Sequence, residues 1–248
     1  MAGIPLRVMT YNVGGHGARW SAGYLEKVAA VIAAAAPDVV GMQEVHRGTR
    51  PSRLADQAAE LGRLTGMAVH FGPSFTLEKG GEFGNAVLAR GAVLSAAVRP
   101  LPGPGEPRTI LSARLALAPH DANHAKDAEL DFHVTHLAAW GRFGRAARSV
   151  QIAGLVETLQ QSPGPFILAG DLNAPPGAPE IGALLASELF RKCGDGVAVT
   201  HKLMRQQIDY VFAGPGWTTV SHRVIRSGPS DHWPVLVELV RDAAEHYS

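Results

Sequence analysis

Several apolar runs in this sequence stop at side chains that can do chemistry. Asn12 ends the run in "LRVMTYNV", Gln43 and Glu44 end "PDVVGMQEV", His136 ends "LDFHVTHL", and Asp171 and Asn173 end "GPFILAGDLN". Glu44 and Asp171, with the amide oxygens of Asn12 and Asn173, make an all-oxygen set of the kind hard divalent cations such as Mg2+ prefer. Mg2+ usually takes only one or two carboxylates and keeps waters, which leaves room for a substrate phosphate. His136 and His232 could donate to a phosphoryl oxygen or move protons. "QQIDYVF" supplies Asp209 at the start of another apolar run, and a carboxylate beside an imidazole fixes its tautomer and raises its basicity. The inventory fits metal-assisted hydrolysis of a phosphate ester. Singly, each motif could be an ordinary turn or strand end; their order and combined chemistry carry the reading.

Asp231 and His232 sit in "SGPSDHWPVLVEL", just ahead of Pro234. Proline cannot donate to a sheet ladder and suits the first residue of a strand, so the acid and the imidazole belong on a strand-entry loop. That stretch alone fits a capped turn as well as it fits an active-site loop.

The elements that must position these residues form a pattern that occurs twice. "LRVMTYNV" reads as a strand, Leu25, Val28, Ala29 and Ile32 give the stripe of a buried helix, and "PDVVGMQEV" is a second strand ending at Gln43 and Glu44. Later, "LDFHVTHL", a helix with Ile152, Leu155, Val156 and Leu159, and "GPFILAGDLN" repeat the order. Fully apolar strands are covered on both faces, so polar side chains reach solvent at their ends. In α/β folds the ligand crevice lies beyond the carboxyl ends of strands. If the halves pack together, Asn12, Glu44, His136, Asp171 and Asn173 converge, and Asp231 and His232 join them if the last strand runs antiparallel. "RTILSARLALA" is a further strand, between loops over 99 to 107 and 118 to 131. His120, Asp121, His124 and Asp127 fall in the second loop and read as solvated side chains rather than a metal site.

The bulk numbers bound the answer without choosing it. A chain of 248 residues, 46% hydrophobic and 18% charged, suits one large α/β domain or two small ones. A net charge of +1 neither advertises nucleic acid nor excludes it. The single cysteine, Cys193, rules out an intramolecular disulfide and a thiolate metal cluster. Nothing reads as a signal peptide or a transmembrane segment; "VAAVIAAAA" is too short. A soluble, cytoplasmic protein with no obligate protein partner is expected.

The ordered set "TYNV", "QEV", "GNAVLAR", "VTHL", "GDLN", "IDYVF" and "SDHWPV" resembles the endonuclease/exonuclease/phosphatase superfamily, which is DNase I-like and exonuclease III-like. The motifs run from residue 10 to residue 235. The resemblance implies a single domain over 1–248 with an α/β fold, a four-layer sandwich of two packed mixed β-sheets flanked by helices. It implies a Mg2+ cofactor, with Mn2+ as a substitute, and hydrolysis of a phosphodiester or phosphomonoester by direct attack of water. It makes Glu44 the main metal ligand, with Asn12 beside it and Asp231 nearby. His136 would contact phosphate, Asp171 would orient or deprotonate the water, and Asn173 would hold the phosphate. His232 would bind a non-bridging oxygen, with Asp209 behind it.

The substrate side is less determined. Asn85 follows a glycine-rich loop in "KGGEFGNAVLAR", and Arg142, Arg145 and Arg148 stand three apart near His136. These are candidate phosphate-binding residues; for the arginines a solvated helix face fits equally well. A nuclease or DNA-end-processing phosphodiesterase is the first expectation. A small-molecule or lipid-headgroup phosphoesterase is the alternative, and a binding module that has lost catalysis is the rival from another class.

Overall fold

The computed structural model describes residues 5–14, 23–77, 79–118, 129–162, 165–194 and 198–242. The loop carrying His120, Asp121, His124 and Asp127 lies outside the described residues. The first half comprises β1 (Leu6–Asn12), α1 (Tyr24–Ala35), β2 (Val39–Arg47), α2 (Gln57–Thr65), β3 (Ala68–Thr76), β4 (Glu82–Ala89), β5 (Gly91–Leu101) and β6 (Arg108–Leu117). The second comprises β7 (Glu129–His136), α3 (Gly144–Gln160), β8 (Phe166–Asp171), α4 (Pro179–Leu185), β9 (Arg191–Lys192), β10 (Asp209–Ala213), β11 (Trp217–Val224) and β12 (Val235–Arg241).

The strands form two six-stranded mixed sheets, ordered β11-β12-β1-β2-β4-β3 and β5-β6-β7-β8-β10-β9. The repeated strand–helix–strand pattern is present in both: β1 pairs parallel with β2, and β7 pairs parallel with β8. The final strand, β12, runs antiparallel to β1, which brings its entry loop to the carboxyl end of β1. Likewise β10 runs antiparallel to β8, with Asp209 opposite Asp171.

Three apolar clusters stack into four layers. Val8, Val39, Val87 and Val237 of one sheet meet Phe132, Val134, Ile167 and Val211 of the other. Outside the first sheet, Val28, Ile32 and Leu61 of the helices cover Met9, Tyr11 and Met42. Outside the second, Ile152, Leu155, Ile181 and Leu184 cover Ile110, Leu168 and Phe212. Burial of each such side chain contributes on the order of 1.5–3 kcal/mol. This is the α/β sandwich expected.

Two expected boundaries move. The second strand does not end at Gln43 and Glu44 but continues to Arg47 through a break in register between Met42 and Val45. The strand β5 runs on to Leu101, inside the segment read as a loop. It is an edge strand, so Pro100 removes no ladder bond that a neighbour needs. Among the described residues, no helix is long and apolar enough to cross a membrane.

Candidate active site

Strand periodicity explains why the polar residues meet. Side chains two apart share a face. Val8 faces the other sheet, and Asn12 continues that face at the end of β1. Phe132 and Val134 lead in the same way to His136, Ile167 and Ala169 to Asp171, and Val211 and Ala213 back to Asp209. Each run is apolar until it leaves the inter-sheet core and then carries a functional group. His136 pairs with Asp171 on one side, and Asp209 pairs with Asp171 on the other. The floor of the crevice is therefore a row of three side chains on adjacent strands.

Glu44 arrives by a different route. Val40, Met42 and Val45 all pack on the helix side of their sheet, so two residues intervene where regular alternation allows one. The extra residue is a β-bulge, with Glu44 at φ 59. Bulges re-aim side chains, and non-glycine residues at positive φ carry strain that recurs at functional sites. Here the bulge turns Glu44 away from the helices toward Asn12, whose Nδ2 donates to Oε1 at 3.2 Å.

The same Asn12 Nδ2 donates to Asp171 Oδ2 at 2.9 Å, and Asn12 Oδ1 accepts from the backbone N–H of Gly14 at 2.9 Å. Asp171 Oδ2 lies 3.5 Å from His136 Nε2 and 3.8 Å from His232 Nε2, so this oxygen sits between both imidazoles. Asn173 is in the left-handed region at φ 50, and its N–H donates to Asp171 Oδ1 at 2.9 Å. Its side-chain Nδ2 donates to Leu137 O and stands 3.0 Å from His136 Nε2. Behind His232, Nδ1 lies 2.9 and 3.1 Å from the two oxygens of Asp209.

The strand-entry loop is held by Ser230 and by two residues outside the motifs, Thr200 and His201. Ser230 Oγ donates to the carbonyl of Asn12 at 2.7 Å and accepts from His232 N at 3.1 Å. Trp233 N donates to Thr200 O, and Thr200 Oγ1 accepts from the N–H groups of Ile208 and Asp209. His201 sets its ring edge against His232 at 4.6 Å between centroids. Gly14, at φ 57, passes so close that an added Cβ would lie 2.8 Å from Asp231 Oδ1. Ser230 belongs to the quoted motif and caps its turn locally; no spacing signals Thr200 or His201, whose partners Asp209, Trp233 and His232 lie further along the chain.

Burial sets the electrostatics. It pushes the Asp171 carboxyl up to about 7, assisted by the neighbouring charge of Asp209; His232, Asn12 and the Asn173 N–H oppose the rise. For His232, burial favours the neutral ring, but the charge and hydrogen bond of Asp209, with Asp171 and Asp231 behind them, outweigh it and raise the pKa to about 10. The pair is thus a carboxyl held well above the usual carboxylate range beside an imidazole that its acidic neighbours keep protonated.

Residues 9–232 match the sequence model of the endonuclease/exonuclease/phosphatase family. This chain belongs to that family. As a member it is a phosphoric ester hydrolase, in a family that generally depends on a divalent metal. No curated protein sequence matches it significantly. Among solved structures, it is similar to an endonuclease/exonuclease/phosphatase of Beutenbergia cavernae (TM-score 0.78, 25% identity, 98% of this chain and 73% of that one). It also resembles the mannosyl-6-phosphatase of Bacteroides thetaiotaomicron (TM-score 0.72, 19% identity, 95% and 99% of the two chains). The D. rerio TDP2 complexed with single-strand DNA product matches at TM-score 0.74 and 17% identity, over 95% and 98%.

The donor set fits the family's divalent metal. Asp171, Asp209 and His232 bring ligand atoms within 4.8 Å of one another, a group that could hold an ion. That group is buried, and His232 Nδ1 is already committed to Asp209. Glu44 and Asp231 are only half-buried, which suits a cation that keeps waters. Asn12 turns its NH2 toward the carboxylates in this arrangement, so it holds Glu44 and Asp171 in place.

The candidates around the rim separate. Asn85 is buried within β4, its Nδ2 donating to Thr109 O at 3.3 Å. Arg142 and Arg145 are exposed; Arg142 precedes α3 and lies over the Phe143 ring at 5.4 Å. Arg148 is corrected as a phosphate ligand. It is buried, with Nε 3.1 Å from Glu180 Oε1 and Nη1 donating to Ala138 O at 3.0 Å. A guanidinium committed to a buried carboxylate has no fork left for a substrate.

Proposed function

We propose that this chain is a Mg2+-dependent phosphodiesterase that hydrolyses a nucleic-acid strand or strand end by direct attack of water. A single observation carries the reading: the Asp171 carboxylate lies within reach of Asn12, His136 and His232 at the floor of one crevice. In this reading Glu44 and Asp231 hold the cation beside Asn12, and Mn2+ substitutes for Mg2+. A cation there would polarise a phosphoryl oxygen and offset charge as it develops.

The remaining roles fall to the chain's own groups. Asp171, with its carboxyl near 7, is matched to accept a proton from water at neutral pH. His232 keeps Nδ1–H on Asp209 and donates from Nε2 to a non-bridging oxygen. His136 and Asn173 steady the phosphate from the other side. Such preorganised donors act on charge that grows in the transition state, where they are worth most. The contributing residues are spread from Asn12 to His232, which supports reading the chain as one domain.

TDP2 in complex with a single-strand DNA product has this fold, which favours a nucleic-acid substrate. The mannosyl-6-phosphatase has it as well and favours the second reading, a small phosphate ester. The test is one panel, assayed with Mg2+ and Mn2+: single-stranded and duplex DNA, abasic DNA, 5′-tyrosyl DNA, sphingomyelin, inositol phosphates and mannose 6-phosphate. Turnover of DNA is expected. Turnover confined to the sugar and inositol phosphates would replace the first reading with the second.

A further inference from the structure

Four residues beyond His136, the indole of Trp140 is 49% exposed. An aromatic surface that large is usually tucked away, and nothing in the reaction described above uses it. The loop that carries it is nonetheless held firmly. Ala138 N donates to Gln151 Oε1 at 2.8 Å, and Ala138 O accepts from Arg148 Nη1 at 3.0 Å. Gly144 lets the loop lie against the start of α3, since an added Cβ there would meet Ala139 O at 2.5 Å.

Arg148 also accounts for the ring itself. Its guanidinium sits 5.2 Å from the centroid of Trp140, while Glu180 fixes it from behind at 3.1 Å. The buried cation is therefore a prop under one face of an exposed indole. A cation on one face draws down the negative charge of the π-system and weakens the attraction of a second cation for the other face. It leaves that face suited to an electron-rich planar group. Arg142, two residues on and exposed, adds a positive charge to the same loop, over the Phe143 ring.

We propose that Trp140 is a substrate-binding platform on which one base of a single-stranded nucleic acid stacks next to the reacting phosphate. The inference rests on the phosphodiesterase reading and makes it more specific. Four residues of chain span at most ~14 Å, at roughly 3.5 Å each, so the backbone of Trp140 lies within that distance of His136. An unpaired base presents its π-face to an aromatic side chain whatever its identity, so this contact selects for a base without selecting which one. Trp140 binds and positions; it takes no part in the proton transfers.

The test uses two strands of equal length and equal phosphate count, an oligothymidylate and an all-abasic tetrahydrofuran strand, with wild-type, Trp140→Ala, Trp140→Phe and Arg148→Met proteins. Trp140→Ala should raise KM for the oligothymidylate by roughly 5- to 150-fold, the range for one lost base stack, with kcat little changed. It should leave KM for the abasic strand unaltered. Trp140→Phe should recover part of the loss, and Arg148→Met, which frees the ring, should lie between. Oligothymidylate added in EDTA should quench wild-type tryptophan fluorescence more than that of Trp140→Phe.

Equal losses on both strands, or none on either, would overturn the platform while leaving the phosphodiesterase reading intact. Neither turnover nor quenching with either strand in the wild type would overturn both.

Discussion

Asp209 and His232 face each other across the sandwich, with Nδ1 of the imidazole 2.9 Å from Oδ2 of the carboxylate. Asp209 opens β10 in one sheet, and His232 stands just before β12 in the other. A buried, charge-assisted bond therefore ties the two sheets at the floor of the crevice. Asp209→Asn changes little volume, and its backbone N–H keeps Thr200 as a partner. The change removes the charge that favours the imidazolium, so His232 titrates lower. Asp209→Asn and His232→Ala should each lose on the order of 100-fold in kcat. The double variant should be little worse than either, as for groups acting together. Fully additive losses would separate the two residues.

Glu44→Gln keeps the shape of the bulge and removes a charge. Metal affinity, followed by calorimetry with Mg2+ or Mn2+, should fall at least tenfold while the melting temperature stays near that of the wild type. Wild-type turnover should stop with EDTA and return with added metal. Unchanged affinity in the variant would leave Glu44 out of the cation site.

Gly14→Ala tests the close passage under Asp231. The added methyl meets both Asp231 Oδ1 and Ser230 Oγ, and φ 57 costs about 1–2 kcal/mol for an alanine. The expected result is a lower melting temperature together with weakened metal binding, because the 230–231 loop must move. A variant with wild-type values of both would show that the loop has slack.

His133, on the far side of the second sheet from the crevice, gives a pH signature of its own. Burial lowers its pKa to about 4, and Ser112 and Ser162 bond its two ring nitrogens at 2.8 and 3.1 Å. Between about 4 and 6.5 the unfolded chain binds the proton that the folded chain refuses. This contribution to stability is complete above 6.5 and is lost as the pH falls, by up to roughly 1.4 kcal/mol per unit. Denaturant unfolding at pH 7 and pH 5 should show a smaller difference for His133→Gln than for the wild type. Equal differences would mean that His133 is not the titrating group.

How far the sequence reveals this site depends on how each residue reaches it. Asn12, His136 and Asp171 end runs of alternating side chains, so counting by twos places them on one face of their strands. Glu44 cannot be found by that count. Its strand continues to Arg47, and no glycine or proline marks the bulge that turns it. The spacing of the three arginines is uninformative for a related reason. Their even spacing suggests one helix face, but α3 begins at Gly144, after Arg142, and Arg148 is claimed by Glu180 some 32 residues on. Long-range partners leave no local trace. The order of the motifs remains legible, because most sit where an apolar run begins or ends, as Asn12, His136, Asp171 and Asp209 do.

The place of β12 has a consequence for synthesis. Among the described residues it is the last strand in chain order, yet it lies inside its sheet between β11 and β1. Until residues 235–241 leave the ribosome, β1 has a bare edge along its length, and such edges invite pairing with other chains. His232 is positioned only when that strand docks beside residues translated more than two hundred positions earlier. Loop closure over such a separation is slow. The candidate crevice is thus incomplete until β12 docks, and a nascent chain shorter than that carries Asp171 and Asp209 without His232 beside them.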